Sequence, residues 1–529
     1  MILASSTVCF AALPRLEDKG TTKQLIVDEK PHLMLAGELH NSAASGIRYM
    51  RRMWPHLKDL GLNTVIAPVS WELVEPQEGQ FDFVFVDEMI ELARGHDQRL
   101  VVLWFGSWKN GVSSYCPGWV LSDTKRFARA KGSSNQNTKD VLSTLSKANL
   151  QADSNAFARL MRHLKQVDDR AHTVVLVQVE NEVGIKPEMR DLSNEANAAF
   201  TKPVPRTLMD YLVAHKDELH PVLLERWGKS EFATEGTWGQ VFGDGAGAEE
   251  VFSVWYYARY IDQVAAAGQR EYALPMYVNA WLASKPGTYP SGGPVAHMHD
   301  VWRAASSHLE FFAPDIYVGE FKEVCARYTR AGNPLLVPEA SIDDQAAARA
   351  YWVIAQHQGL GFACFGIESI STDHPLVETY GILSQLASTV TEVQGTGRMI
   401  GIYRQGNEEN PEPMRVGDYQ VRVRYETRLP SQHPPVGGLV IQTADDTFVV
   451  AGYGFGCQFR AVTAGPPSTK IESVELGEFD DQGRWIHELW LNGDETGANN
   501  WARIPPFSRN SFLGVDRQLI LRVRVFRHD

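Results

Sequence analysis

Eight short apolar runs, each followed by sequence of helical character, recur along the first 395 residues, and this alternation constrains the fold more than any other feature of the chain. The runs are Leu33–Glu38, Asn63–Val69, Leu100–Phe105, Val174–Val179, Leu274–Trp281, Phe311–Tyr317, Leu335–Pro338 and Phe362–Ile367. Continuous apolar segments of this length, bounded by loop residues, read as strands covered on both faces, as parallel sheets are. Helical stretches follow around 45–60, stopping at Gly61, and at 84–96, 153–169, 250–267 and 343–358. Eight strand–helix units are the count of a (β/α)8 TIM barrel, here placed over residues 30–395 behind an N-terminal extension of residues 1–29. An open doubly wound sheet would share the alternation, but no glycine-rich phosphate loop follows the first strand. Residues 185–250, rich in Pro, Gly and charge, read as an insertion, and the irregular 282–310 stretch leaves room for the strand count to slip by one.

Beyond about residue 395 the period changes. Tyr419–Tyr425 and Leu519–Val525 alternate apolar and polar residues with period two, as half-exposed antiparallel strands do. Gly438–Ile441, Thr447–Val450 and Trp485–Leu491 lie between them, separated by turn residues, and Asn410-Pro411-Glu412-Pro413 reads as a loop. Residues 396–529 are therefore expected to form a smaller all-β sandwich domain.

Bulk properties narrow the class of partner. A chain of 529 residues with 44% hydrophobic and 22% charged residues can bury a large core. Its net charge of −13 argues against nucleic acid or an anionic membrane, which need a basic surface, and favours a neutral or polar substrate. No apolar run has the length of a membrane span. The five cysteines, Cys9, Cys116, Cys325, Cys364 and Cys457, are scattered and show no metal-ligand or disulfide spacing. With no basic residue ahead of the apolar patch Val8–Leu13, a cytoplasmic protein is expected in preference to a secreted one. The composition is compatible with a homo-oligomer.

Two of the strands run directly into a carboxylate. His172–Val179 leads to Glu180-Asn181-Glu182, and Asn333–Pro338 leads to Glu339. In a barrel, reacting groups stand at the carboxyl ends of the strands, so Glu182 on strand four and Glu339 on strand seven form an acid pair on rigid elements. Such a pair can divide the work of glycosidic bond cleavage between a proton donor and a nucleophile or base. Asn181 beside the acid is suited to hold a sugar hydroxyl. Strand alternation puts Glu180 on the same face as Glu182, as a second pocket residue or an internal ion-pair partner.

These segments resemble glycoside hydrolase family 35, the β-galactosidases. Gln178-Val179-Glu180-Asn181-Glu182-Val183-Gly184 is similar to the family's acid/base segment Gln-x-Glu-Asn-Glu-x-Gly. Leu60-Gly61-Leu62-Asn63-Thr64-Val65 and Trp71 to Phe83 are similar to its Gly-Leu-Asn-Thr-Val and Trp-Asn-x-His-Glu-Pro-x-x-Gly-x-Phe-x-Phe segments. The resemblance implies a retaining enzyme with Glu182 as acid/base, Asn181 as its sugar-binding neighbour, Glu339 as nucleophile and Tyr317 hydrogen-bonded to that nucleophile. The family's Arg-Pro-Gly-Pro-Tyr-x-x-Ala-Glu-Trp after strand three is replaced by Trp104-Phe105-Gly106-Ser107-Trp108-Lys109-Asn110-Gly111, and Trp-Asn by Trp71-Glu72. Those positions grip galactose in the family, so the resemblance bears on the reaction more than on the sugar.

Further substrate contacts are expected from aromatic and polar residues near strand ends: Trp71, Trp108 and Trp281 as stacking surfaces, Asn110 and Asn279 as hydroxyl ligands, and Glu38 after strand one. His297, His299 and Asp300 lack a third ligand segment and read as loop residues, so no metal or organic cofactor is expected. The resulting expectation is a retaining, exo-acting β-glycosidase, foremost a β-galactosidase acting on oligosaccharides. A β-glucosidase or transglycosylase with the same machinery, or a non-catalytic carbohydrate-binding barrel, are the alternatives.

Overall fold

The structure, a computed structural model, describes residues 12–133, 141–283, 285–426, 435–506 and 517–529; Cys9 lies outside them. The barrel strands are β1 Met34–Glu38, β2 Thr64–Ser70, β3 Arg99–Lys109, β4 Val174–Asn181, β5 Met276–Trp281, β6 Phe311–Ile316, β7 in two segments Leu336–Val337 and Glu339–Ala340, and β8 Gly361–Phe362. All neighbours pair parallel, and the ring closes where β8 meets β1 at Gly361 and Met34. Strand β7 bonds to β8 through Leu336–Val337 and to β6 through Glu339–Ala340. Pro338 between them has no N–H to give to a ladder, which is why one strand reads as two.

Helices α1 Ile47–Asp59, α2 Val84–Gly95, α3 Lys147–Asp168, α4 Ala246–Gln269, α5 His299–Ala305, α6 Phe321–Tyr328, α7 Ala346–Tyr351 and α8 Pro375–Val393 follow the eight strands in turn. In α1 the buried residues Met50, Met53, Trp54 and Leu57 recur at the spacing of one helical face, and Gly61 at φ 76° turns the chain toward β2. Helix α3 begins at Lys147, ahead of the expected 153, because Ser146 caps it by accepting from the Asn149 amide. The 185–250 region carries short helices such as Asn194–Phe200, Arg206–Ala214 and Pro221–Gly228 before α4.

Two apolar layers result. One lies between strands and helices. The other fills the barrel, where Met34, Ala36, Ile66, Val101, Leu103, Tyr277, Phe311, Ala313 and Leu336 meet. Residues ahead of β1 join this inner core: an antiparallel hairpin, Arg15–Lys19 with Thr22–Val27, inserts Leu25 and Val27 beneath it. Gln24 Nε2 donates to Thr391 O at 2.6 Å, tying the hairpin to the end of α8.

The C-terminal strands are β9 Met399–Tyr403, β10 Met414–Val416, β11 Tyr419–Tyr425, β12 Gly437–Ala444, β13 Thr447–Tyr453, β14 Phe455–Ala461, β15 Ser468–Phe479, β16 Trp485–Leu491, β17 Ala502–Ile504 and β18 Leu519–His528. They form a six-stranded antiparallel sheet (β9, β12, β13, β18, β15, β16) and a four-stranded one (β10, β11, β14, β17). Of these, β9, β10, β14, β15 and β17 are not expected from the sequence. Strand β9, Met-Ile-Gly-Ile-Tyr, is buried throughout and shows no alternation, β10 and β17 are three residues each, and β14 and β15 mix small, polar and apolar residues too unevenly for a period-two signal. Close packing joins this region to the barrel: a Cβ on Gly437 would lie 2.6 Å from Ala348 Cα in α7, and Tyr351 Oη donates to Gln518 Oε1 at 2.8 Å.

Candidate active site

Inward rows of side chains change from apolar to polar as they approach the carboxyl ends of the strands. In β1 the row is Met34, Ala36, Glu38; in β6 it is Phe311, Ala313, Asp315; in β5 it is Tyr277, Asn279, Trp281. The apolar members fill the barrel, leaving the last residue of each row to face the site. Register brings Asp315 beside Glu339 and also beside Trp281.

Strand β4 departs from simple alternation, which corrects the expectation that Glu180 and Glu182 share a face. Both have positive φ, 64° and 45°, a region that costs residues with a Cβ about 1–3 kcal/mol each. The double turn sends the two carboxylates apart. Glu180 accepts from the Ser107 and Trp108 amides at 2.9 and 2.7 Å, beside Asp153 of α3, and is a structural group. Glu182 turns over the barrel, its amide donating to Asn279 Oδ1 at 2.8 Å, while Asn279 Nδ2 donates to Asp315 Oδ2 at 2.7 Å. Asn279 therefore links the Glu182 backbone to the Asp315 carboxylate through the two ends of its amide, where a hydroxyl ligand was expected.

Glu182, Asp315 and Glu339 are all buried, and each places a carboxylate oxygen within 4.8 Å of the others. Glu339 is held from two sides: Asn181 Nδ2 donates to Oε1 at 3.2 Å and Tyr317 Oη to Oε2 at 2.8 Å. Asn181 Oδ1 is buried and has no hydrogen-bond partner among the described residues, so it is free to accept from a ligand. Tyr317 is 49% exposed, its ring at the rim and its hydroxyl on the carboxylate.

Lys109 is a site residue that sequence pattern does not reveal. The apolar run is expected to end at Phe105, but β3 continues to Lys109, whose register partner is Asn181. Its Nζ lies 3.9 Å from Glu339 Oε1 and over the Phe105 and Phe365 rings at 5.0 and 5.9 Å, with the residue only 5% exposed. Burial disfavours the ammonium, but Glu339, Glu38, Glu182 and Asp315 outweigh it and hold the lysine charged. Asp315 is a second such residue; the alternation Phe311, Ala313, Asp315 is the signal that could have found it.

Electrostatics divides the carboxyl groups. Burial, then the charge of Glu339, pushes Glu182 up to about 7, while Lys109 restrains the rise. Burial followed by Glu339 likewise holds Asp315 and Glu38 well above the usual carboxylate range. Both Glu38 oxygens lack a donor among the described residues, as a neutral carboxyl tolerates; protonated, Glu38 can donate to Glu339. The site thus contains an acid that keeps its proton near neutrality and a carboxylate supported by a cation and two donors. The oxygens of Glu182, Asp315 and Glu339 have the spacing to bracket a hard cation; the Lys109 ammonium supplies positive charge to the same cluster.

The remaining candidates separate. Trp281 at the end of β5 is partly buried, with Lys186 Nζ 3.3 Å above its ring. Asn110, at φ 56°, donates its amide to Asn181 O at 3.2 Å and has a buried Oδ1 without a partner among the described residues. Trp71 and Trp108 are corrections. Both are fully buried: Trp71 donates to Glu75 Oε2 at 2.9 Å and packs edge-on against Trp119, and Trp108 packs against Tyr257 and Tyr260. Neither presents a ring face to a sugar. His299 is buried in packing, its Nε2 3.0 Å from Pro294 O, and His297 pairs with Glu250, so the 297–300 cluster is structural.

Residues 24–220 match the family described as Glycosyl hydrolases family 35, and residues 376–503 match a Domain of unknown function (DUF5597). A β-galactosidase of Xanthomonas manihotis is 31% identical over 179 residues, 32% of this chain and 27% of that protein, so the chain spans about a quarter of that curated relative's length. Among solved structures, a β-galactosidase from Bacillus circulans sp. alkalophilus aligns at 14% identity over 68% of this chain and 57% of its own, with a TM-score of 0.43. A β-mannanase from the blue mussel Mytilus edulis aligns at 14% identity over 70% of this chain and 97% of its own, with a TM-score of 0.42. The match to family 35 runs over β1 to β4 and into the 185–250 region, the stretch that carries the short motifs.

Proposed function

We propose, since the first half of the barrel resembles glycosyl hydrolases of family 35, that the chain is a retaining, exo-acting β-glycoside hydrolase, foremost a β-galactosidase acting on terminal β-galactosyl residues of oligosaccharides. The observation that carries this reading is the Glu182–Glu339 pair: two buried carboxyl groups at the ends of β4 and β7, with oxygens within 4.8 Å, one of them protonated to about pH 7. Retaining glycosidases set their carboxyl groups about 5–5.5 Å apart, whereas inverting enzymes leave about 6.5–9.5 Å for a water.

In this mechanism Glu182 protonates the departing oxygen as Glu339 Oε attacks the anomeric carbon and the glycosidic C–O bond breaks. Asn181 and Tyr317 hold Glu339 in line, and Lys109 keeps its charge supported in a water-poor site. Formation of the glycosyl ester neutralises Glu339. That removes the second largest cause of Glu182's elevated proton affinity, so the same residue, having lost its proton, becomes the base that activates the incoming water. Two inversions at carbon give net retention. No organic cofactor enters any step. The buried thiols of Cys116, Cys325, Cys364 and Cys457, none of them in a disulfide, support a reducing, cytoplasmic setting, and the division of the chain near residue 395 belongs to the same proposal.

Labelling with a 2-deoxy-2-fluoro galactoside followed by peptide mapping tests it. Attachment at Glu339 is expected. Attachment elsewhere would overturn the nucleophile, and labelling only by the gluco analogue would overturn the sugar.

A further inference from the structure

The four-stranded sheet carries a second feature that the barrel chemistry does not use. Its outer face forms a groove of about 710 Å³ between the 410–413 loop, strands β11 and β14, and Trp501. Ligand clefts span about 300–1,000 Å³, so this one has room for sugar rings. On β11, Gln420, Arg422 and Arg424 share the outer face, while Val421 and Val423 are buried beneath. Register sets Arg460 opposite Gln420 and Gln458 opposite Arg422, so guanidinium and amide groups alternate across the floor.

The charges on this floor are poorly compensated. Arg424 donates to Glu426 at 3.1 Å and lies 4.6 Å over the Trp501 ring, but Arg422 and Arg460 have neither ion pair nor hydrogen bond among the described residues. In a chain with 64 acidic residues and a net charge of −13, Glu412 is the one acid among the described residues that line the groove. Neighbouring like charges on one sheet face oppose folding. A planar guanidinium offers two parallel donors that match a carboxylate. The amides of Gln420 and Gln458 can both donate to and accept from hydroxyls, and Trp501 with the loop prolines provides apolar surface for the faces of sugar rings.

We propose that this groove binds an anionic glycan whose sugars carry carboxylates, independently of the barrel site. The pairing of guanidinium with amide groups on one floor favours a chain bearing both hydroxyls and carboxylates over a nucleic acid. The test is calorimetric titration of the full chain with short oligogalacturonides, with their methyl esters and with neutral galacto-oligosaccharides. Saturable binding of the free acid is expected, with about tenfold or more lost in the ester and again in each of Arg422→Ala and Arg460→Ala. Both arginines are exposed, so a melting curve matching the parent is expected for the variants. Binding is read without turnover, so the result is separable from the glycosidase assignment. Absence of binding, equal binding of acid and ester, unchanged affinity in both variants, or tighter binding of single-stranded DNA would each overturn it.

Discussion

Replacing Glu182 by Gln tests the division of labour most directly, because the structure sets both where the loss appears and how it depends on pH. Burial and the neighbouring Glu339 hold Glu182 at about 7 in place of 4.5, an elevation worth about 3 kcal/mol. At pH 6 about nine-tenths of the enzyme then carries the proton, against about 3% for an unperturbed carboxyl, and at pH 8 about a tenth does. The sign follows: the acid is competent below about pH 7 and is lost as pH rises through it. The parent kcat/KM should therefore show an alkaline limb near pH 7 with substrates whose leaving group needs protonation. General acid catalysis contributes about 10²–10⁴ in rate, so Glu182→Gln should lose that much on a phenyl or alkyl β-galactoside. A dinitrophenyl galactoside, whose leaving group departs as an anion, should lose far less in the first step. Stopped-flow bursts with the activated substrate, and steady-state profiles from pH 4 to 9 with both, read the two effects apart. Retention of the alkaline limb at the same pH in Glu182→Gln, or equal losses for good and poor leaving groups, would refute the assignment of Glu182 as proton donor.

Other perturbations follow from the same geometry. Lys109→Met removes the cation that restrains Glu182's proton affinity, so the alkaline limb should move above pH 7, with at least about a tenfold fall in kcat/KM; a limb that moves down contradicts the electrostatic role. Tyr317→Phe deletes the 2.8 Å hydrogen bond to Glu339, and loss of a bond to a charged group, about 1.5–3 kcal/mol, should appear as a ten- to hundredfold drop in kcat/KM at an unchanged melting temperature. Trp108→Ala should cost about 3–5 kcal/mol of stability by leaving a cavity, measured by denaturant melts. Trp281→Ala should raise KM for oligosaccharides and leave the melt in place, because its ring is only partly buried.

Much of the site is legible in the order of the residues because two of its members end long apolar strands. A carboxylate after Val174–Val179 or after Leu335–Pro338 has only one place to be in a barrel, and Glu38 follows by the same rule, whereas Tyr317 is named by the family resemblance. The rule fails where the backbone leaves its regular period. Positive φ at Glu180 and Glu182 separates two residues that alternation would pair, and no sequence signal marks a non-glycine residue for that region. It fails also for Trp71 and Trp108, since an aromatic residue near a strand end satisfies core and pocket equally well in one dimension.

Local pattern alone determined the eight strand–helix units, the change to period two beyond residue 395, and the place of Glu182 and Glu339 at two strand ends, because periodicity and strand termini are properties of adjacent residues. Tertiary structure decided what those acids can do. Only closure of the ring brings Lys109 of β3 within 3.9 Å of Glu339 on β7, and buries Glu182 against the same carboxylate so that its proton persists to about 7. Charge interactions depend on separation in space and on the loss of water around the groups, and neither quantity is written in the order of the residues.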